Sequence, residues 1–283
     1  MIEKTYWKVI IECATAAEDA LSAFLFKHNC QGFYHESGKI IACFGSYKDV
    51  CSFSKVLEAK KRDLLQYELT DVLSFEVKEE AVVQWDEEWK KNLTPVEVGD
   101  ALVVLAPWHK YQGARIKIVI EPGMAFGTGH HATTRLCLEE IERLARSGCR
   151  SLLDLGTGSG ILAVAARKLG IEDVVAIDID PVAVDVAREN AVRNGTADIC
   201  FSFKTVDCIR RGFDAVVANL TLKTIRVLFD EIVRLCNAEG VIVLSGILSE
   251  QEEEITGLLS DAAVGEWEIK SSSGWLCVVL KTN

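Results

Sequence analysis

The chain has no run approaching about 18 uninterrupted apolar residues, so the pattern of its residues excludes a membrane-spanning helix. Its opening, MIEKTYWKVIIE, has no signal-peptide pattern, and a soluble, cytoplasmic protein is expected. Positive charge is also in deficit: 31 Lys and Arg stand against 42 Asp and Glu, a formal net charge of −11. That argues against a nucleic-acid phosphate partner and suits a basic protein partner. No two cysteines stand at C-x-x-C spacing. Most of the ten sit inside apolar runs (Cys43, Cys137, Cys200, Cys277) and read as buried free thiols rather than as ligands or a disulfide framework. His130 and His131 are adjacent but have no carboxylate or cysteine at ligand spacing, so no metal is expected there. What is present is a chain of 283 residues with ordinary apolar and charged fractions, enough for one large or two ordinary domains with a buried core.

The most informative stretch is Ser151–Gly160, SLLDLGTGSG. A short apolar run carries one acid, Asp154, and ends in Gly156, Gly158 and Gly160; ILAVAARKLG then repeats apolar residues at helical spacing and stops at Gly170. This reads as strand, glycine turn and helix, the corner where a doubly wound sheet takes a nucleotide-like ligand. Glycines there permit a tight turn and close approach of a ligand to the main chain. Position 161 is Ile, so the dinucleotide spacing G-x-G-x-x-G is not met. A carboxylate two residues before the first glycine would repel a pyrophosphate and attract an ammonium group. S-adenosylmethionine, adenosine at one end and a charged amino acid at the other, is the ligand these features favour over NAD. Asp178 closes the next strand, about 20 residues beyond the turn, where a ribose-binding acid is expected.

Residues 1–80 read as a unit of their own, in the order strand, helix, strand, strand, helix, strand. YWKVIIECA alternates as a strand; Thr15 to Glu18 forms a capping box before a helix with apolar Ala17, Ala20, Leu21, Phe24 and Leu25. GFYHESGKIIACFG is a hairpin turning near Ser37-Gly38, DVCSFSKVLEAKKRDLL a second helix, and YELTDVLSFEVKEE a closing strand. That order is the ferredoxin-like split βαβ pattern, with no catalytic set in it; His28 and His35 read as a helix-end and a hairpin residue. Residues 81–97 carry the charge and the Pro95 of a linker, with Trp85 and Trp89 pinning it to a domain. Residues 98–283 form the second domain, which ALVVLAPWH and RIKIVIEPG lead into.

In Glu121–Thr134, EPGMAFGTGHHATT, a glycine-rich loop runs into the amphipathic helix RLCLEEIERLARSG. Such a loop can fold over a ligand in the neighbouring crevice, which makes Gly127 and Thr128 candidate ligand contacts. Thr133 or Thr134 is expected to cap the helix. Further on, Asp180-Pro181 starts a helix that Gly195 stops, ICFSFKT and RGFDAVVANL are strands, and Asn219 ends the latter at the carboxyl edge. Helix, strand (GVIVLSGI), helix and a final hairpin follow. Seven strands with that ending fit the methyltransferase variant of the Rossmann arrangement, so the fold class is α/β: a Rossmann-like seven-stranded domain preceded by a small α+β ferredoxin-like domain.

The loop EPGMAFGTGHHATT, the turn LDLGTGSGILAVAARKLG, IDIDPVAV, ENAVRNG, VVANL and SGIL together resemble the bacterial methyltransferases of ribosomal protein L-eleven of the large subunit. The likeness is strong over roughly residues 85–283 and architectural before them. It implies that the first domain recognises the ribosomal protein and the second methylates its α-amine and lysine side chains with S-adenosylmethionine. It also implies cofactor contacts from Thr134, Gly156, Asp178 and Asn219. One departure from many amine and amide methyltransferases is Asn-Leu-Thr-Leu after the fourth strand in place of Asn-Pro-Pro-aromatic.

Cofactor binding is therefore expected from Thr134, Gly127, Thr128, Asp154, Gly156, Gly158, Asp178 and Asn219. For catalysis the candidates are Asn219, whose amide oxygen orients the amine, Phe126, whose ring faces the cationic centre, and His130 or its neighbour His131 as proton acceptor. Three other readings remain open on sequence: a methyltransferase for another protein or small amine, an NAD-dependent oxidoreductase, and a non-catalytic ribosome-binding protein. The oligomeric state is not legible.

Overall fold

In the computed structural model, residues 5–12, 25, 30, 32–36, 39–66, 74–81, 94–122, 129–262 and 264–283 are described. The chain divides into two compact units, Met1–Leu93 and Thr94–Asn283. No helix among the described residues is long and apolar enough to cross a membrane.

In the first unit, β1 (Thr5–Glu12), β2 (Gly32–Glu36), β3 (Lys39–Phe44) and β4 (Ser74–Ala81) form a sheet in the order β2-β3-β1-β4, each neighbour antiparallel. Helix α1 (Tyr47–Gln66) follows β3. Strand periodicity sends Val9 and Ile11 of β1 and Ile40, Ala42 and Phe44 of β3 to one face, where Val50, Phe53 and Leu57 of α1 join them in one core. This is the ferredoxin-like sheet order. The capping box at Thr15, His28, and the linker tryptophans Trp85 and Trp89 lie outside the described residues.

The second unit begins with a three-stranded sheet, β5 (Val96–Val98), β6 (Leu102–Leu105) and β7 (Ile116–Val119), in which β6 and β7 are parallel. Strand β5 begins within the stretch 81–97 read from sequence as linker and ends one residue beyond it. Its main sheet contains β8 (Ser151–Leu155), β9 (Asp173–Ile177), β10 (Cys200–Ser202), β11 (Phe213–Asn219), β12 (Cys236–Leu248), β13 (Gly265–Ser272) and β14 (Trp275–Thr282). The order is β10-β9-β8-β11-β12-β14-β13, with β14 alone running against its neighbours. The order reverses between β8 and β11, the switch point at which open α/β sheets bind ligands.

Helices α2 (Ala132–Arg146), α3 (Ile161–Lys168), α4 (Pro181–Asn194), α5 (Leu222–Leu235) and α6 (Glu252–Ala262) connect these strands. Alternation along β8 divides the core. Leu152 packs with Leu138 and Ile141 of α2 and with α3, whereas Leu153 and Leu155 pack with Ile225 and Phe229 of α5 and Leu259 of α6. Asp154 shares the parity of Leu152, and so points into the layer of α2 and α3.

The caps agree with the sequence at α4, where the Asp180 carboxylate accepts from the Val182 N–H, Pro181 occupies N1, and Gly195 closes the helix at φ 71°. They differ at α2. The cap is His131, whose ring nitrogen accepts from the Thr133 N–H, and not either threonine; both threonines lie within the first turn and are buried. Cys200 also departs from expectation. It is exposed, because β10 is an edge strand of three residues.

Candidate functional site

The site lies at the carboxyl ends of β8, β9, β11 and β12, and the glycine turn after β8 is its centre. Gly156, Gly158 and Gly160 take φ of 79°, 54° and 80°, a left-handed succession that residues with a Cβ rarely adopt. The turn is fastened to the neighbouring strand: the N–H groups of Gly156 and Thr157 both donate to the Ile177 carbonyl, at 2.9 and 3.0 Å. Asp178, just beyond β9, accepts from the Gly158 N–H through Oδ2 and from the Asp180 N–H through Oδ1, both at 3.0 Å. Its carboxylate thus stands half-buried beside the turn, where the sequence spacing placed it.

Asp154 is placed differently from the ligand-facing position expected of it. It is wholly buried under the turn, and its Oδ2 accepts from the Thr157 hydroxyl at 2.6 Å and from the Ala163 N–H at 3.2 Å. Oδ1 is buried without a hydrogen-bond partner among the described residues. Burial pushes the carboxyl up to about 7, against the opposing effect of the Thr157 and Ala163 hydrogen bonds. An acid of that pKa carries only part of a charge at neutral pH, and it reaches the turn through Thr157 and α3 rather than through an open crevice. The physical reason is parity: the fourth residue of β8 must face the α2 and α3 layer.

A different feature discriminates against a diphosphate. The N–H groups of Gly156, Thr157, Gly158, Gly160 and Ala163 all have protein acceptors: the Ile177 carbonyl, Asp178, the Thr157 carbonyl and Asp154. Phosphate-binding turns work by aiming such donors at the anion. Here these five are spent internally.

Across the switch point, Asn219 at the end of β11 meets Thr134 in the first turn of α2. The amide nitrogen donates to the threonine hydroxyl over 3.5 Å. Thr134 is buried and Asn219 half-buried, so the pair joins two elements 85 residues apart at the switch point. The main chain just after Asn219 is tightly enclosed. A Cβ on Gly156 would stand 2.5 Å from Cδ2 of Leu220, and one on Gly246 would stand 2.4 Å from the Leu220 carbonyl oxygen.

His130 lies on a separate tether, its exposed ring Nε2 3.2 Å from the Thr94 carbonyl. A carbonyl only accepts, so Nε2 carries the proton and Nδ1 is the basic nitrogen of the neutral ring. Phe126, Gly127 and Thr128 lie outside the described residues. The structure thus brings Thr134 to Asn219 and Asp178 to Gly158.

Sequence reasoning missed several residues. Thr157 is the partner that holds Asp154. Ile179 and Phe203, directly after Asp178 and after the end of β10, are exposed although apolar, at 81% and 64% of their surface. Exposure of an apolar residue at a strand's carboxyl end has no signature in a single sequence. Among the described residues, no group of three or more His, Cys, Asp and Glu is arranged to hold a metal.

Comparison with known proteins adds the following. A family model described as Ribosomal protein L11 methyltransferase (PrmA) matches residues 5–283. A Symbiobacterium thermophilum protein named ribosomal protein L11 methyltransferase is 43% identical over 198 residues, covering 69% of this chain and 64% of that protein. One of the same name from Caldicellulosiruptor saccharolyticus is 33% identical over 301 residues, covering 98% of this chain and 99% of the relative. The matched part of the chain thus spans just under two thirds of the Symbiobacterium protein, and likewise of a Clostridium perfringens one at 64%. A crystal structure of ribosomal protein L11 methylase from Lactobacillus delbrueckii subsp. bulgaricus superposes with a TM-score of 0.63 and 30% identity, over 68% of this chain and all of that one.

Proposed function

The chain belongs to the ribosomal protein L11 methyltransferase family, and from that premise we propose that it transfers methyl groups from S-adenosylmethionine to amino groups of ribosomal protein L11, the α-amine and lysine side chains. The observation that best supports the cofactor is the turn after β8, where the N–H groups of Gly156, Thr157, Gly158 and Gly160 are already paired within the protein. A ligand carrying ribose hydroxyls and an amino-acid end fits it better than a diphosphate does.

The residues present fit that cofactor. Asp178 offers carboxylate lone pairs for ribose hydroxyls, and the exposed side chains of Ile179 and Phe203 offer apolar surface to a purine. Gly156 and Gly158 bring the main chain within reach of the ligand, and Thr134 with Asn219 faces its amino-acid end. Asp154 acts from below by fixing Thr157 and the start of α3. When bound, the cofactor supplies a methyl carbon made electrophilic by a sulfonium.

The protein's remaining task is to present a neutral amine in line with that carbon, and alignment of this kind supplies most of the effect in a direct displacement. Asn219 suits it. With its amide nitrogen donating to Thr134, the amide oxygen is the atom left to accept from the incoming amine and fix its approach. Loss of the amine's proton costs well under about 1 kcal/mol for an α-amine near pH 7.5 and about 4 kcal/mol for lysine. Lysine acceptors therefore need a proton acceptor or desolvation more than the α-amine does, and His130 Nδ1 is assigned that role. Phe126 is assigned the face of the cationic centre, and Gly127 and Thr128 are assigned to the cofactor.

The unit Met1–Leu93 is assigned recognition of the ribosomal protein, and the net charge of −11 favours a basic partner. The test is incubation of the purified chain with methyl-labelled cofactor and ribosomal protein L11, followed by peptide mass spectrometry. Mass gain at the α-amine and lysines is expected. No transfer, together with saturable binding of a pyridine dinucleotide, would overturn the reading.

A further inference from the structure

Within the ENAVRNG segment two asparagines, Asn190 and Asn194, stand one helical turn apart on α4, and both are buried, at 0% and 8% exposure. Asn194 behaves as a strand neighbour would: its Oδ1 accepts from the Val119 N–H at 2.8 Å, and its Nδ2 donates to the Val119 carbonyl at 2.6 Å. The same nitrogen lies 2.8 Å from the Asn190 carbonyl. Asn190 does something else. Its Oδ1 accepts from the Glu121 N–H at 3.0 Å, while its Nδ2 donates to the carbonyl of Ser159, inside the glycine turn, at 2.9 Å. Arg193 adds a charged contact to the same place, 3.4 Å from both Asn190 Oδ1 and the Glu121 carboxylate.

The spacing explains why two asparagines suffice. Four helical residues rise about 6 Å, and two strand residues advance about 6.6 Å. Side-chain amides at 190 and 194 therefore meet the outward-facing backbone groups of 121 and 119, in reverse order along β7 and its extension. A primary amide carries both donor and acceptor, so each can answer a backbone group without a charge in the core.

We infer that Asn190 is a positioning residue for cofactor binding: through one amide it sets the glycine turn at Ser159 in register with the backbone at Glu121, which leads into the glycine-rich loop. Asn194 fastens only the strand. The two residues thus separate a role in the site from a role in the fold, although they share a helix face. This rests on the cofactor reading given above.

The test compares Asn190→Ala and Asn194→Ala, with calorimetric titration of adenosylmethionine and steady-state methyl transfer well below each melting temperature. The wild type is titrated first; if it takes up no cofactor, it is the functional reading that fails, which is thereby told apart from a failure of the role given to Asn190. Where it binds, Asn190→Ala is expected to raise the cofactor Kd and KM about tenfold with kcat changed less than threefold. Asn194→Ala should lower the melting temperature at least as much and leave Kd within twofold. Equal Kd in the two variants would overturn the inference. If Asn190→Ala does not fold, amide exchange at Glu121 in the wild type decides. About tenfold slower exchange with the demethylated cofactor bound supports the link, and unchanged exchange overturns it.

Discussion

The Asn219 amide donates to the Thr134 hydroxyl across 3.5 Å, joining the end of β11 to the first turn of α2. In this geometry one end of the amide is committed and the other is directed by that commitment. Asn219→Ala is accordingly expected to reduce kcat by about 100-fold, the effect of a misplacement of about 1 Å, while weakening cofactor binding less. Labelled-methyl turnover beside calorimetry checks it. Equal losses in both would reduce Asn219 to a cofactor contact. Thr134→Val, which keeps the shape but removes the acceptor, should reproduce part of the kcat loss.

Asp154 makes stability depend on pH. Its folded pKa of about 7 lies above the ordinary value of 3.8, so between those limits the folded protein holds more proton than the unfolded chain, and stability falls as pH rises. The whole penalty, on the order of 4 kcal/mol, is in place above about pH 7 and absent below about pH 4. Asp154→Asn removes the titration and keeps an oxygen for Thr157 and Ala163. Urea melts at pH 5 and pH 8 should show the wild type losing stability relative to the variant at the higher pH. A constant difference would contradict this.

Gly156 and Gly246 both crowd Leu220, but against different atoms. A Cβ on Gly156 meets a terminal methyl of the leucine, which can swing away, whereas one on Gly246 meets the main-chain carbonyl. That main chain is pinned by the Leu220 N–H to the Ser245 carbonyl at 2.9 Å. Both positions have positive φ, worth about 1–2 kcal/mol to a residue with a Cβ. Gly246→Ala should therefore destabilise more than Gly156→Ala. Leu220→Ala should rescue part of the loss only in the Gly156 background, as a double-mutant cycle of denaturant melts would show.

Asp178→Asn leaves one side-chain oxygen for two backbone donors, Gly158 and Asp180. Cofactor affinity should fall at least tenfold, and the melting temperature by only a few degrees, because the residue is half-buried. Calorimetry and thermal denaturation together separate the two.

The glycine turn, Asp178, Asn219 and the Asp180 cap were legible because each rests on local chemistry at fixed spacing. The seven-strand sheet was legible as a succession of periods. Two things were not. The direction of Asp154 depends on which side of β8 faces which helix layer, and a motif does not carry that parity when both faces are buried. The cap at His131 was hidden for a related reason: threonines are the better intrinsic caps, but the helix begins two residues earlier than a cap at Thr133 would give, and the imidazole nitrogen of His131 takes the threonine's place. Asn190 and Asn194 were visible at i and i+4, yet their partners lie 69 and 75 residues upstream.

The position of β14 has a consequence for synthesis. Strand β14, made after β13, is not the outermost in the sheet; it fills the gap between β12 and β13. Until residues 275–282 leave the ribosome, the β12 run Val241–Leu248 presents an unpaired apolar edge, the kind of surface on which nascent chains stick to one another. A premature stop after Val264 would therefore be expected to produce aggregate instead of a smaller folded protein.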